Sequence, residues 1–351
     1  SPYFQPAIDA MLGIGREFKG PSYHDIRVGL LKDCKKGCQL LAETYRSKWQ
    51  SSGCTIMADR WTDNRQRSLI NFLVYCPDGL TFIKSIDASD AVKDASTLFH
   101  LFSEVVEWVG PSNVVHVVND NAANYVVAGR LLHEKYESIH WSPCVAHCLN
   151  LLLKDIACMP HMDNVASHAS QVTVFVYNHI TFLSWLRKRS GWIEIVRPAM
   201  TRFATSSITL KSIYDHKHDL QAFVTSKHFT SKLANTSKGK KICSTILDMK
   251  FWDDCSIAIK IVAPVVRLLR IVDSDEKPSL GYVYDGMFRA KIAIKNLFNN
   301  KKRWYKSYTN LLKQWWDRHL RKKLHAVASF LNPAFMYDPN KMEKLEIMQS
   351  M

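Results

Sequence analysis

The hydrophobic period of this chain changes twice, and that limits the fold more than any single motif does. Up to residue 50, apolar residues recur at helical spacing, as in "LLKDCKKGCQLLAETYRSKWQ". From Cys54 the runs shorten to strand length: "CTIMAD" (54–59), "SLINFLVYC" (68–76) and "TFIKSID" (81–87). Polar "TDNRQR" and "PDGL" separate them, and the second has the make-up of a tight hairpin turn. The three runs therefore read as antiparallel strands. "DASTLFHLFSEVVEWVG" (94–110) returns to helical spacing and ends on a glycine suited to a helix C-terminus. "NVVHVVND" (113–120) is a valine-rich run of the kind buried on both faces of a sheet. A helix at "AANYVVAGRLLHEKY", a short strand at "IHW" and a helix at "VAHCLNLLLKDIA" complete the order β-β-β-α-β-α-β-α. That order specifies a mixed five-stranded sheet flanked by helices, an α/β core. Beyond about residue 160 only long amphipathic stretches follow, so a large all-α lobe is expected. The domains expected are a helical segment over 1–50, the α/β core over 51–160 and the helical lobe over 161–351.

Composition narrows the class. With 351 residues and 47% apolar side chains, the chain is long for one domain and can bury a sizeable core. No run of 18 uncharged apolar residues occurs, which argues against a membrane span. No charged-then-apolar leader opens the chain, and a start on Ser1 reads as an excised piece. Nine cysteines, an odd number without a framework, fit thiols kept reduced. The formal charge is +15, and its location matters more than its size. Residues 231–330 hold 21 Lys and Arg against 8 Asp and Glu, a net +13. A basic excess so localised is either the footprint of a polyanion partner or a solvated helical face.

Two acids stand out. Asp59 is expected to close the first strand and Asp120 the fourth; if those strands are neighbours, both carboxylates emerge at one sheet edge. Paired carboxylates there suit one or two Mg²⁺ or Mn²⁺ ions in phosphodiester chemistry. The plain alternative is a turn or helix-capping role for each. "PCVAHCLN" sets Cys144 and His147 three apart, on one face if both are helical. Zinc needs two more ligands; Cys158 and His161 repeat the spacing, but the pattern argues against a zinc site. A buried thiol with a hydrogen-bonded core histidine is the other reading. In the basic stretch, Lys301, Lys302, Arg303, Arg321, Lys322 and Lys323 are the candidates for phosphate contact, interleaved with Trp304, Tyr305, Trp315 and Trp316. Trp315 and Trp316 are expected to face the core. Arg197 and Arg202 in "RPAMTRFATS" fit either phosphate contact or an acidic partner within the protein.

Five motifs in order along the chain resemble a plant family derived from hAT-type transposases. They are "IMADRWTDNRQRSLINFLVYCPDGLTFIKSIDASD", "NVVHVVNDNAANYVVAGRLL", "WSPCVAHCLNLLLKDI", "RPAMTRFATS" and "DSDEKPSLGYVYDGM". The resemblance implies an RNase H-like core interrupted by a helical insertion. It also implies an Asp-Asp-Glu metal trio, with Asp59 first, in a D-x-W context with Trp61, and Asp120 second. Asn119 stands where such proteins usually have Thr. The third carboxylate is expected after the insertion, in an S-x-x-x-E-R helix that belongs also to the dimerisation region. No such motif occurs up to Met351, and neither Glu343, Glu346, Asp273, Asp275 nor Glu276 sits in one. The resemblance assigns the C-x-x-H pair, Cys144 and His147, to positioning DNA. Nothing resembles a BED-type zinc finger. Three functions follow as expectations. The first is a domesticated or decayed nuclear protein that binds DNA or protein partners without a complete catalytic trio. The second is an active Mg²⁺-dependent transposase or nuclease, completed by a Glu outside this chain and able to homodimerise at full length. The third is a nuclear interaction scaffold without nucleic-acid binding.

Overall fold

The computed structural model describes residues 4–14, 19–89, 94–197, 203–274 and 278–336. Arg202, Asp275, Glu276, Glu343 and Glu346 lie outside them. Five strands form one sheet: β1 (Cys54–Thr62), β2 (Ser68–Cys76), β3 (Gly79–Asp87), β4 (Val114–Asn119) and β5 (His140–Pro143), in the order β3-β2-β1-β4-β5. β1 pairs antiparallel with β2, and β2 with β3, while β4 lies parallel to β1. This is the mixed five-stranded sheet that the strand pattern specified.

The helices fall around and after the sheet. α1 (Phe4–Ile14) and α2 (Leu31–Ser52) precede it, with a π-helical turn at Asp25–Leu30. α3 (Ala95–Val109) joins β3 to β4, and α4 (Ala123–Lys135) joins β4 to β5. Then come α5 (Val145–Ala157), α6 (Pro160–Asn178), α7 (Ile180–Arg187), α8 (Phe203–Asp215), α9 (Lys217–Val224) and α10 (Lys227–Lys232). α11 (Ser237–Leu247), α12 (Met249–Val272), α13 (Tyr282–Leu297) and α14 (Lys302–Trp315) follow. A second π-helical turn (Trp316–Leu320), α15 (Lys323–Phe330) and α16 (Pro333–Met336) end the described chain. No described helix is long and apolar enough to cross a membrane.

The chain divides into two compact units, neither of them continuous. One takes Ser1–Val118 and Ala128–Trp141, the other Asn119–Val127 and Ser142–Met351. In the first, β2 buries every second residue from Ser68 to Cys76. Phe72 is fully buried there and meets Phe102 of α3 edge to face, ring centres 5.8 Å apart. Burying a side chain of that size contributes about 1.5–3 kcal/mol. The β2–β3 hairpin turns on Pro77 and Asp78, and Gly79 follows at φ 151° with Tyr45 of α2 against its backbone. A β-carbon at Gly79 would stand 2.8 Å from the Tyr45 hydroxyl, and an L side chain at this φ is strained, which favours glycine. α2 buries only Trp49; its apolar residues from Leu31 to Leu41 face water, although their spacing is helical.

In the second unit, α12 is the axis. Phe251, Trp252, Cys255, Ala258, Ile261, Val262, Val265, Leu268 and Leu269 are buried, one or two per turn. α5, α6, α8 and α13 pack around that stripe. Gly286 lets α13 close on α12, since a β-carbon there would stand 2.4 Å from Leu268 Cδ1. None of the nine cysteines is in a disulfide.

Candidate functional site

The two acids of the first hairpin are held differently. Asp63, in the β1–β2 turn, accepts from the Arg65 and Arg67 backbone N–H groups at 2.8 and 2.9 Å, and Arg67 Nη2 pairs with it at 2.7 Å. These bonds, led by the Arg67 backbone, hold its carboxyl below the usual carboxylate range. Asp63 is a turn residue.

Asp59 is not at a strand end, contrary to the expectation from sequence. β1 runs on to Thr62, and Asp59 lies opposite Asn71. The reason is the hairpin: the β1–β2 ladder continues to Thr62 opposite Ser68, carried by the β-formers Trp61 and Thr62. The pairing with β4, in contrast, goes no further than Met57 opposite Val118. From Asp59 onward all four β1 residues are exposed. The end of apolar alternation at Ala58 marks where burial stops, not where the strand stops.

Asp120 belongs to the second unit and directly follows β4. Helix α4 starts at Ala123 and its first intrahelical bond runs from Val126 N–H to Ala122 O, so Ala122 holds the capping position. Asp120 is therefore not the cap. Its side chain is 16% exposed, and its Oδ1 lies 3.6 Å from His147 Nδ1. The chain is pinned beside it by a 2.7 Å bond from Cys144 N–H to Asn119 O.

Cys144 and His147 do not share a helical face. Cys144 has φ −59° and ψ 119° and occupies the position before α5, while His147 stands in the first turn. Cys148, fully buried one turn on, has its thiol pushed up by burial and then by the negative charges of Cys144 and Asp120; Lys322 pulls the other way. The Trp315 indole N–H donates to Asp155 of α5 at 2.9 Å, seating the end of α14 on the helix that carries His147. Asp155 was not singled out by sequence reasoning, because 160 residues separate it from Trp315 and no local pattern links them. Trp315 and Trp316 are half-buried against the core of the lobe, as expected.

The other basic candidates have different surroundings. Lys301, Lys302 and Arg303 are exposed at the opposite end of α14, about 21 Å away by helix rise. Arg303 lies over the Trp304 ring at 4.5 Å. Arg197 stacks on Tyr177 at 3.9 Å, so its neighbour is an aromatic ring, whose hydroxyl donates to Ile195 O at 2.6 Å.

A resident metal would need more than is gathered here. Asp120 and His147 make a pair. Among the described residues no three His, Cys, Asp or Glu side chains converge as they do around a bound cation. Cys158 is exposed at the end of α5 and His161 stands at the start of α6.

The geometry can be set beside known proteins. Residues 21–172 match the model of a domain of unknown function, DUF659. That family is known from hAT-like transposase-derived proteins. The match covers less than half the chain: it takes in α2, the sheet, Asp59, Asp120, Cys144 and His147, and stops within α6. Both basic triplets lie outside it. No curated protein matches the chain.

Proposed function

We propose that this is a transposase-derived nuclear protein whose helical lobe grips the backbone of DNA. The observation that carries the reading is the start of α14. Lys301 holds the capping position without a side-chain cap, and no acid occupies the first turn. Among the described residues no ion pair engages Lys301, Lys302 or Arg303. Cations at the positive end of a helix are unfavourable by about 0.3–1 kcal/mol each, so folding alone gives no reason for them. A phosphate placed there meets uncapped N–H groups, the helix dipole and three cations together. The net +13 of residues 231–330 extends the same field.

In this reading Arg321, Lys322 and Lys323 add a second set of phosphate contacts, with Cys144 and His147 positioning the strand. Asp59 and Asp120, each on its own unit, correspond to the family's Mg²⁺- or Mn²⁺-binding carboxylates. The DUF659 match supports that ancestry.

Titration of labelled duplex DNA at several salt concentrations tests the reading. The log of the association constant should fall linearly with log salt, with a slope of about −0.9 for each phosphate neutralised. Absent or salt-insensitive binding would sink it and favour a protein-interaction scaffold. Strand cleavage in Mg²⁺ or Mn²⁺ that disappears in Asp59→Asn would replace it with the nuclease or transposase reading.

A further inference from the structure

Two apolar surfaces of the sheet unit are left without cover. The first is the arm that leads into α2. Every residue from 19 to 41 is exposed, yet Leu30, Leu31, Cys34, Cys38 and Leu41 fall on one side of the helix, with Lys32, Lys36 and Gln39 opposite. That stripe runs on into Tyr45 and Trp49, by which α2 seats on its own unit. By helix rise Leu31 stands about 21 Å beyond Tyr45. Gly37 has open space where a β-carbon would stand, so nothing in its own chain accounts for a glycine in mid-helix.

The second surface is the sheet face turned away from α3. Phe72 meets Phe102 of α3, and Lys84, opposite Phe72, pairs with Glu104 of α3 at 2.6 Å. Alternation therefore puts the neighbours of Phe72 on the other face. There Leu73 lies between Met57 and Phe82, Tyr75 beside Leu80, and Trp61 beside Leu69. Trp61, Leu80 and Phe82 are 46%, 52% and 56% exposed. The charged strand residues of this face are Asp59 and Asp87, both acids.

We propose that the arm of one copy lies across the outward sheet face of a second copy, and the second copy's arm across the first, in a reciprocal dimer. An amphipathic helix on an open sheet is how such faces are ordinarily buried. The arm cannot cover its own sheet: α2 lies beside α3, with Trp49 6.2 Å from Trp108, and a continuous helix anchored there does not turn round to the opposite face. Charge agrees. From Asp25 to Leu41 the arm holds Arg27, Lys32, Lys35 and Lys36 against Asp25 and Asp33, four cations less two acids, a net +2. It therefore suits a face whose charges are acidic, whereas two arms side by side would bring like charges together. A reciprocal contact also closes at two copies. Both surfaces lie within residues 25–87, apart from the C-terminal region expected to dimerise.

Sedimentation equilibrium of the full chain and two double variants provides the test. The unaltered protein should be a dimer at micromolar concentration. Leu31→Glu with Leu41→Glu, and separately Leu80→Lys with Phe82→Lys, should each raise the dimer dissociation constant by on the order of 100-fold. All four side chains are exposed in the single chain, so circular dichroism at dilution should show both variants as folded as the parent. An equimolar mixture of the two variants keeps one arm–sheet contact intact and sets Glu against Lys in the other. It should dimerise more tightly than either variant alone. A parent protein that stays monomeric overturns the proposal. So does a dimer that survives the Leu80 and Phe82 changes, which would mean that arms pair with arms, and so does a mixture no tighter than its components.

Discussion

Two triplets of cations stand at the two ends of α14, equal in charge and unlike in surroundings. Lys301, Lys302 and Arg303 face water at the start of the helix, with Arg303 laid over Trp304. Arg321, Lys322 and Lys323 follow the π-helical turn, which Arg321 N–H closes on Trp316 O at 2.8 Å. Lys322 is half-buried and acts on Cys148, His319 and His325. The first triplet is a charge placed on a surface. The second includes a charge that acts inside the folded lobe, on a buried thiol and two histidines. Similar sequence thus serves two physical ends: one makes a field at the surface, and the other shifts the titration of groups inside the lobe.

The largest effect that would break this contrast concerns the first triplet. Reversing it, Lys301→Glu with Lys302→Glu and Arg303→Glu, should weaken duplex binding by on the order of 100-fold near physiological salt. The salt slope should shrink by about 2–3. The same variant should melt at an unchanged or higher temperature, since acids at the positive end of α14 are stabilising. Weaker binding together with a lowered melting temperature would show the triplet to be structural after all.

The second triplet should reveal itself through pH. His325 is fully buried, its Nδ1 2.9 Å from Leu320 O, and burial, aided by Lys322, pushes its pKa down to about 4. The unfolded chain takes up that proton below its ordinary value of 6.5, while the folded chain refuses it. The stability is therefore complete above about pH 6.5 and is lost as pH falls towards 4. By pH 5 the loss is about 2 kcal/mol. Denaturant midpoints at pH 7 and pH 5 measure it, and His325→Gln should flatten the difference.

The smallest effect separates the triplets most cleanly. Lys322→Gln removes a cation that holds the His319 and His325 pKa values down, so both should rise. NMR titration of His319 reads this directly, and Lys301→Gln should leave both histidines where they are.

Much of the architecture was legible in the sequence because it is local. The runs at 68–76 and 81–87 became β2 and β3 nearly residue for residue, and "VAHCLNLLLKDIA" became α5. Period and turn chemistry decide such elements over a few residues. Asp59 was misplaced because alternation reports burial, whereas the reach of β1 is set by its partner β2. Cys144 and His147 were set on one helix face because spacing alone does not reveal that Cys144 still has extended backbone. The link from the end of α14 to α5 was not legible at all. It exists through tertiary seating, Trp315 on Asp155 among others, and no window of sequence spans it. In α2 the helical period was right and the implied burial was not: Leu31, Leu40 and Leu41 are exposed.

The interleaving of the two units carries a practical lesson. The backbone passes from one to the other after Val118, returns after Val127 and leaves again after Trp141, so each crossing falls in or beside β4, α4 or β5. Gene truncation at any one of these points would strand part of the sheet side on the wrong polypeptide. Expressing either half by itself calls for a designed bridge across the excised loop, and a single protease nick in α4 would leave two pieces that each hold segments of both units.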